Sequence, residues 1–137
     1  EAELKKKTDA PWTWVVNHFP LFTDCNQGDR GDDKSLIREW GKLLRKHPVS
    51  LCFGGHDHTL QHLRVENYPC SFIVSGAGGA KLYDLKPSER GYTNNKHLGF
   101  NHMHVTRDAL NVQFLNADGE CLHHFQRDRC GNVKVLS

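Results

Sequence analysis

The sequence predicts a mixed α/β fold, and three observations carry that expectation. An amphipathic stretch lies between two short segments rich in aromatic and β-branched residues, the pattern of a parallel strand–helix–strand unit with a right-handed crossover. The second of those segments runs into Gly54-Gly55-His56-Asp57-His58, a turn rather than a continuing strand. Three alternating stretches separated by turn signals fill the carboxy-terminal third and read as an antiparallel meander.

Taken in order, residues 1–7 read as the end of a helix. Lys5, Lys6 and Lys7 suit the partial negative charge at a helix carboxyl end. Asp9-Ala10-Pro11 breaks it. Trp12 to Phe19 reads as a buried strand, closed by His18 and Pro20. A polar loop from Thr23 to Gly31 follows; its Arg30-Gly31-Asp32 spells an integrin-type tripeptide, a triplet too short to carry weight.

A helix is expected from Asp33 to His47. Leu36, Ile37, Trp40, Leu43 and Leu44 recur at helical spacing and form one apolar face. Asp32 and Asp33 favour its amino end, Lys42, Arg45, Lys46 and His47 its carboxyl end, and Pro48 stops it. Val49 to Phe53 is a short buried strand; Leu60 to Val65 and Cys70 to Ser75 are two more. The glycines of 76–80 mark a turning loop, and the polar stretch 83–97 carries no regular structure. Strands over 100–105, 109–115 and 120–125 complete the pattern.

The 137 residues are 37% hydrophobic and 25% charged, the profile of one globular domain or part of one. No apolar run approaches the roughly 20 residues that a membrane helix needs. Eighteen basic against 16 acidic residues, mostly scattered, create no field suited to nucleic acid or an anionic membrane. Five cysteines show no C-x-x-C spacing, which argues against a zinc ribbon or a thioredoxin-like site. Cys52 reads as a small buried hydrophobe. The chain does not begin with Met, and Met103 is its only one, so a start upstream is expected.

Chemistry is expected around the histidines. His18 ends one strand, and His56 and His58 follow the next, at the carboxyl strand ends where ligand sites of α/β sheets gather. Neutral imidazole is the commonest metal ligand, and three of them at adjacent strand ends point to a metal site. His58 with His62 would share a helix face, but the alternation of Leu60, His62 and Arg64 reads as strand. His102 and His104 fall on one face of an edge strand and His123-His124 in the last; these four read as surface or packing residues. A hydrolytic pair of ions about 3.5–4 Å apart needs bridging carboxylates. Asp57 is the one acid beside the histidines, and the acids of 24–33 lack ligand-like spacing. Three imidazoles can hold one ion but cannot by themselves build a bridged pair.

Three stretches in this order carry a resemblance: Val15-Val16-Asn17-His18-Phe19-Pro20, Gly55-His56-Asp57-His58-Thr59-Leu60-Gln61-His62-Leu63, and Ser75-Gly76-Ala77-Gly78-Gly79. Together they resemble the second half of a calcineurin-like metallophosphoesterase, in its tartrate-resistant (purple) acid phosphatase branch. The resemblance implies that residues 1–137 are the carboxy-terminal part of one such domain, a four-layer α/β/β/α sandwich with a binuclear centre at its strand ends. It implies that His18 and His56 bind one metal and His58 the other, with two divalent or trivalent ions (iron, zinc or manganese) acting on a phosphate ester. The family's remaining ligands come from an amino-terminal half that this chain does not carry. The branch places a phosphate-handling histidine nine residues beyond the first metal histidine, where this chain has Gln27; Gln27 and His62 are the candidates for such outer contacts.

Two expectations follow from that missing half. Apolar faces of residues 12–19 and 70–75 are expected to be exposed, and the isolated chain is expected to hydrolyse phosphate esters poorly. The alternative is a non-catalytic metal-binding or interaction module that keeps the fold's second half, with one structural zinc on His18, His56 and His58.

Overall fold

The amphipathic stretch forms a helix because both of its ends are closed by local chemistry. In the computed structural model of the chain, which describes residues 1–6 and 8–137, this helix α2 spans Lys34–Lys46, after a short α1 at Ala2–Lys5. The Asp33 carboxylate caps it, accepting from the backbone N–H groups of Ser35 and Leu36 at 2.9 Å each. Pro48, two residues beyond Lys46, prevents it from continuing. The reading of residues 1–7 holds as far as Lys5; its Lys7 lies outside the described residues.

Strands β1 (Trp14–Val16), β2 (Leu51–Gly54), β3 (Leu60–Leu63), β4 (Ser71–Ser75) and β5 (Gly91–Asn94) form one sheet in the order β1-β2-β4-β3-β5. β1, β2 and β4 are parallel, while β3 runs antiparallel to β4 and β5. Strands β6 (Gly99–Val105), β7 (Ala109–Asn116), β8 (Cys121–Asp128) and β9 (Val133–Val135) form the antiparallel meander.

Alternation along the strands divides the apolar residues between two cores. Cys52, Leu63 and Phe72 face α2 and pack with Leu44, Leu21 and Phe22. Leu51, Leu60 and Ile73 face the other way and pack against Leu110, Val112, Phe114 and Phe125 of the meander. The described residues thus stack as helix, mixed sheet and antiparallel sheet, three consecutive layers of the expected sandwich. Among the described residues, no helix is long and apolar enough to cross a membrane.

The structure departs from expectation in three places. Residues 91–94, expected to be irregular, form β5, because the outer edge of β3 offers a ladder that a polar segment can fill. β9 is three residues long, too short to show an alternation. The 70–75 segment is not exposed: β4 lies inside the sheet between β2 and β3, with Phe72 and Ile73 covered by the helix and the meander respectively. At the β1 edge the expectation holds in part: Val16 is 74% and Phe19 47% exposed, while Trp12, Trp14 and Val15 are half-buried against the two cores. His102 and His104 stand exposed on edge strand β6, as the alternation predicts.

Candidate metal centre

The parallel register of β1 and β2 puts their carboxyl ends side by side, Val16 opposite Phe53. Each strand then leaves the sheet through a tight connection, held where Asn17 N–H donates to Phe53 O and Gly55 N–H to His18 O. That places His18 and His56 against one another. Nε2 of His18 lies 3.2 Å from Nδ1 of His56, and the Phe19 ring packs 4.3 Å from the His56 ring.

The glycines before His56 do not carry the left-handed conformation of the turn. The left-handed residue is His56 itself, with φ +59°. Gly54 is required by packing: a Cβ there would stand 2.7 Å from Pro20 Cα. Gly76, in the loop after β4, is required more strictly, since a Cβ would stand 1.9 Å from Asp57 O. The Ser-Gly-Ala-Gly stretch is therefore the surface on which the histidine turn rests.

His58 does not join the other two. Its Nδ1 lies 2.9 Å from Lys81 O, and its ring stacks on Tyr83 with centroids 4.2 Å apart. Because a carbonyl only accepts, Nδ1 carries a proton and Nε2 is the ring nitrogen left for another partner. Asp57 is turned inward, 2% exposed, with Arg30 Nη1 3.3 Å from its Oδ1. Arg30 also lies over the Tyr83 ring at 5.2 Å. Partial burial, with the Arg30 charge second, pushes His56 below the ordinary imidazole range and favours its neutral, ligating form.

The loop after β1 is fixed by buried polar contacts that sequence reading missed. Gln61, fully buried on β3, accepts from Asp24 N–H at 2.8 Å and donates to Thr23 and Thr59 hydroxyls. Arg90 bonds both Asp24 and Asp32. Three of the four acids of residues 24–33 are therefore spent on structure, Asp24 and Asp32 on Arg90 and Asp33 on the α2 cap, while Asp29 is exposed at a cleft beside the turn. Their lack of ligand spacing was the available signal. Gln27 is exposed in the same loop. A cleft of about 390 Å³ opens between the loop and the turn, lined among others by Phe19, Arg30, Asp32, His56 and Asp57.

His62 sits elsewhere, in the core between the two sheets. Its Nδ1 is 3.0 Å from His123 Nε2, its Nε2 is 3.1 Å from Ser71 Oγ, and its ring stacks on Phe125. Burial depresses it to about 3. His123 is likewise a buried packing residue.

Two imidazole nitrogens on one ion, each at about 2.0–2.1 Å, stand roughly 2.9–3.4 Å apart. The His18–His56 separation matches that span, so the pair suits one ion. Among the described residues no three His, Cys, Asp or Glu side chains converge to complete a coordination shell.

Known proteins resemble the chain over most of its length. No protein-family profile matches the chain. Purple acid phosphatase 17 of Arabidopsis thaliana is 34% identical over 127 residues, covering 86% of this chain and 36% of that protein. Tartrate-resistant acid phosphatase type 5 of Sus scrofa is 29% identical over 133 residues, 88% of this chain and 38% of that protein. A purple acid phosphatase from yellow lupin (Lupinus luteus) seeds superposes with a TM-score of 0.71 at 17% identity, over 91% of this chain and 26% of that one. The chain spans little more than a third of the length of the curated relatives it matches, and the fold is that of the metallophosphatases.

Proposed function

We propose that this chain, a relative of the purple acid phosphatases along 86% of its length, carries the histidine ligands of a phosphate-ester hydrolase whose acidic ligands lie on other residues of the parent protein. The observation that carries the reading is the meeting of His18 and His56 nitrogens at 3.2 Å. His18 Nε2 and His56 Nδ1 would hold one ion, and His58, through Nε2, the other. When bound, such ions neutralise a phosphoryl group and lower the pKa of water for attack on phosphorus.

The remaining work falls to this chain's own side chains. Lys81 O fixes the His58 tautomer, so its free nitrogen points away from the carbonyl. Arg30 removes Asp57 from competition for a cation by engaging its carboxylate. Phe19 shields one side of the His56 ring. Gln27, exposed beside this cleft's loop, is the outer contact for the ester, in place of the branch's histidine. His62, with both ring nitrogens engaged in the core, is assigned to packing.

The test joins the amino-terminal part of Arabidopsis purple acid phosphatase 17 to this chain and measures metal content and aryl phosphate hydrolysis. The reading expects two ions per chain and turnover that falls at least about 100-fold in His56→Ala. At most one ion and no turnover would replace it with the non-catalytic module.

A further inference from the structure

A second cavity lies at the opposite end of the parallel strands from His18 and His56. It measures about 1160 Å³ and is walled by Trp12 ahead of β1, His47 ahead of β2, Tyr68 ahead of β4, and by Arg64, Arg127 and Arg129. Arg127 rises from β8 and is 6% exposed, while Arg64 and Arg129 are exposed. Buried charges in folded proteins are ordinarily paired with an opposite charge. Among the described residues, none of these three arginines has a carboxylate within 4.0 Å, the limit within which six other ion pairs form.

Arg127 is held by carbonyls instead. Its Nη2 donates to Pro69 O at 2.8 Å and its Nη1 to Gly131 O at 3.3 Å, which aims the guanidinium without neutralising it. Its Nε is buried with no acceptor, and His47 Nε2 on the same wall is also buried and unpartnered. Burial, and the like charge of Arg64 among lesser causes, depress the Arg127 guanidinium. The acids on the walls do not offset this cluster: Glu3 is bonded to Lys6, which leaves Asp9.

We propose that this cavity binds a phosphate-type oxyanion, with Arg127 as the buried anchor and Arg64 and Arg129 as the entry cations. A guanidinium presents its N–H groups in the fork that matches such anions, and partial burial strengthens each contact. Trp12 and Tyr68 add aromatic surface to the lining, suited to an organic group attached to the phosphate. The site needs no metal and is independent of the histidine centre.

The test is isothermal titration of the intact chain at low ionic strength, with chelator present, using inorganic phosphate and phenyl phosphate separately. The expected result is saturable binding at about 1 mM or tighter. It weakens at least about tenfold in Arg64→Gln/Arg129→Gln, whose exposed positions leave the fold intact by circular dichroism, and is unchanged in His18→Ala/His56→Ala. Tighter binding of phenyl phosphate assigns the site to an ester, equal binding to the free anion. Absence of saturation up to about 10 mM, or binding that ignores the arginine variants, overturns the proposal.

Discussion

Nε2 of His18 and Nδ1 of His56 stand 3.2 Å apart although 38 positions separate them in sequence. One of the facing lone pairs must be covered by a proton or by a cation, since two bare nitrogens at that distance repel. Zinc or cobalt added to the chain should therefore bind at this pair. His18→Ala or His56→Ala should weaken binding at least about tenfold, and His58→Ala should do so less, in a calorimetric or cobalt-absorption titration. Equal losses in all three would mean that His58 swings in to join them.

Gly76→Ala should destabilise the protein by about 3 kcal/mol or more, because the new Cβ meets the Asp57 carbonyl at 1.9 Å and backbone has to move. Gly78→Ala has open space around its Cβ and should change stability by less than about 0.5 kcal/mol. Urea midpoints of the two variants provide the contrast.

His62 makes the fold acid-sensitive. Its folded value of about 3 lies below the ordinary imidazole value, chiefly through burial, so the unfolded chain binds the proton more readily. Stability is then complete above about pH 6.5 and falls as pH drops toward 3, by about 1.4 kcal/mol per pH unit from this group. His123, also depressed by burial, adds to the loss in the same direction. His62→Gln removes one titration, and its stability should vary less steeply between pH 6 and 4, read from urea melts.

Arg90 ties the loop after β1 to β5 through Asp24 and Asp32. Asp24 is 1% exposed, so Arg90→Ala leaves a buried carboxylate with only the more distant Lys86 at 3.7 Å. A loss of about 3 kcal/mol is expected, and Asp24→Asn in that background should recover part of it. Paired unfolding curves would show whether the second change restores stability.

Asp33→Ala removes the acceptor for two amide groups at the start of α2. The expected cost is about 1 kcal/mol, measured as a lowered melting temperature, with helix length otherwise retained.

What the sequence by itself determined was short-range. The helical spacing of Leu36, Ile37, Trp40 and Leu44, the Asp33 cap and Pro48 fix α2. Alternation fixes β7 and β8, and the order strand, helix, strand puts His18 and His56 at one edge. Periodicity and capping act over a few residues, so they are legible without coordinates. The three histidine motifs were legible for the same reason.

Tertiary structure alone decided which partners those residues meet. Arg30 takes Asp57, 27 positions away, out of the ligand set; Lys81 O captures His58; His123 draws His62 into the core; and β3 turns a polar loop into β5. Each is a choice among polar groups that look equivalent along the chain. Burial makes an unpaired one costly, so the packing of the two sheets and the helix, rather than any local preference, selects the pairs that satisfy them.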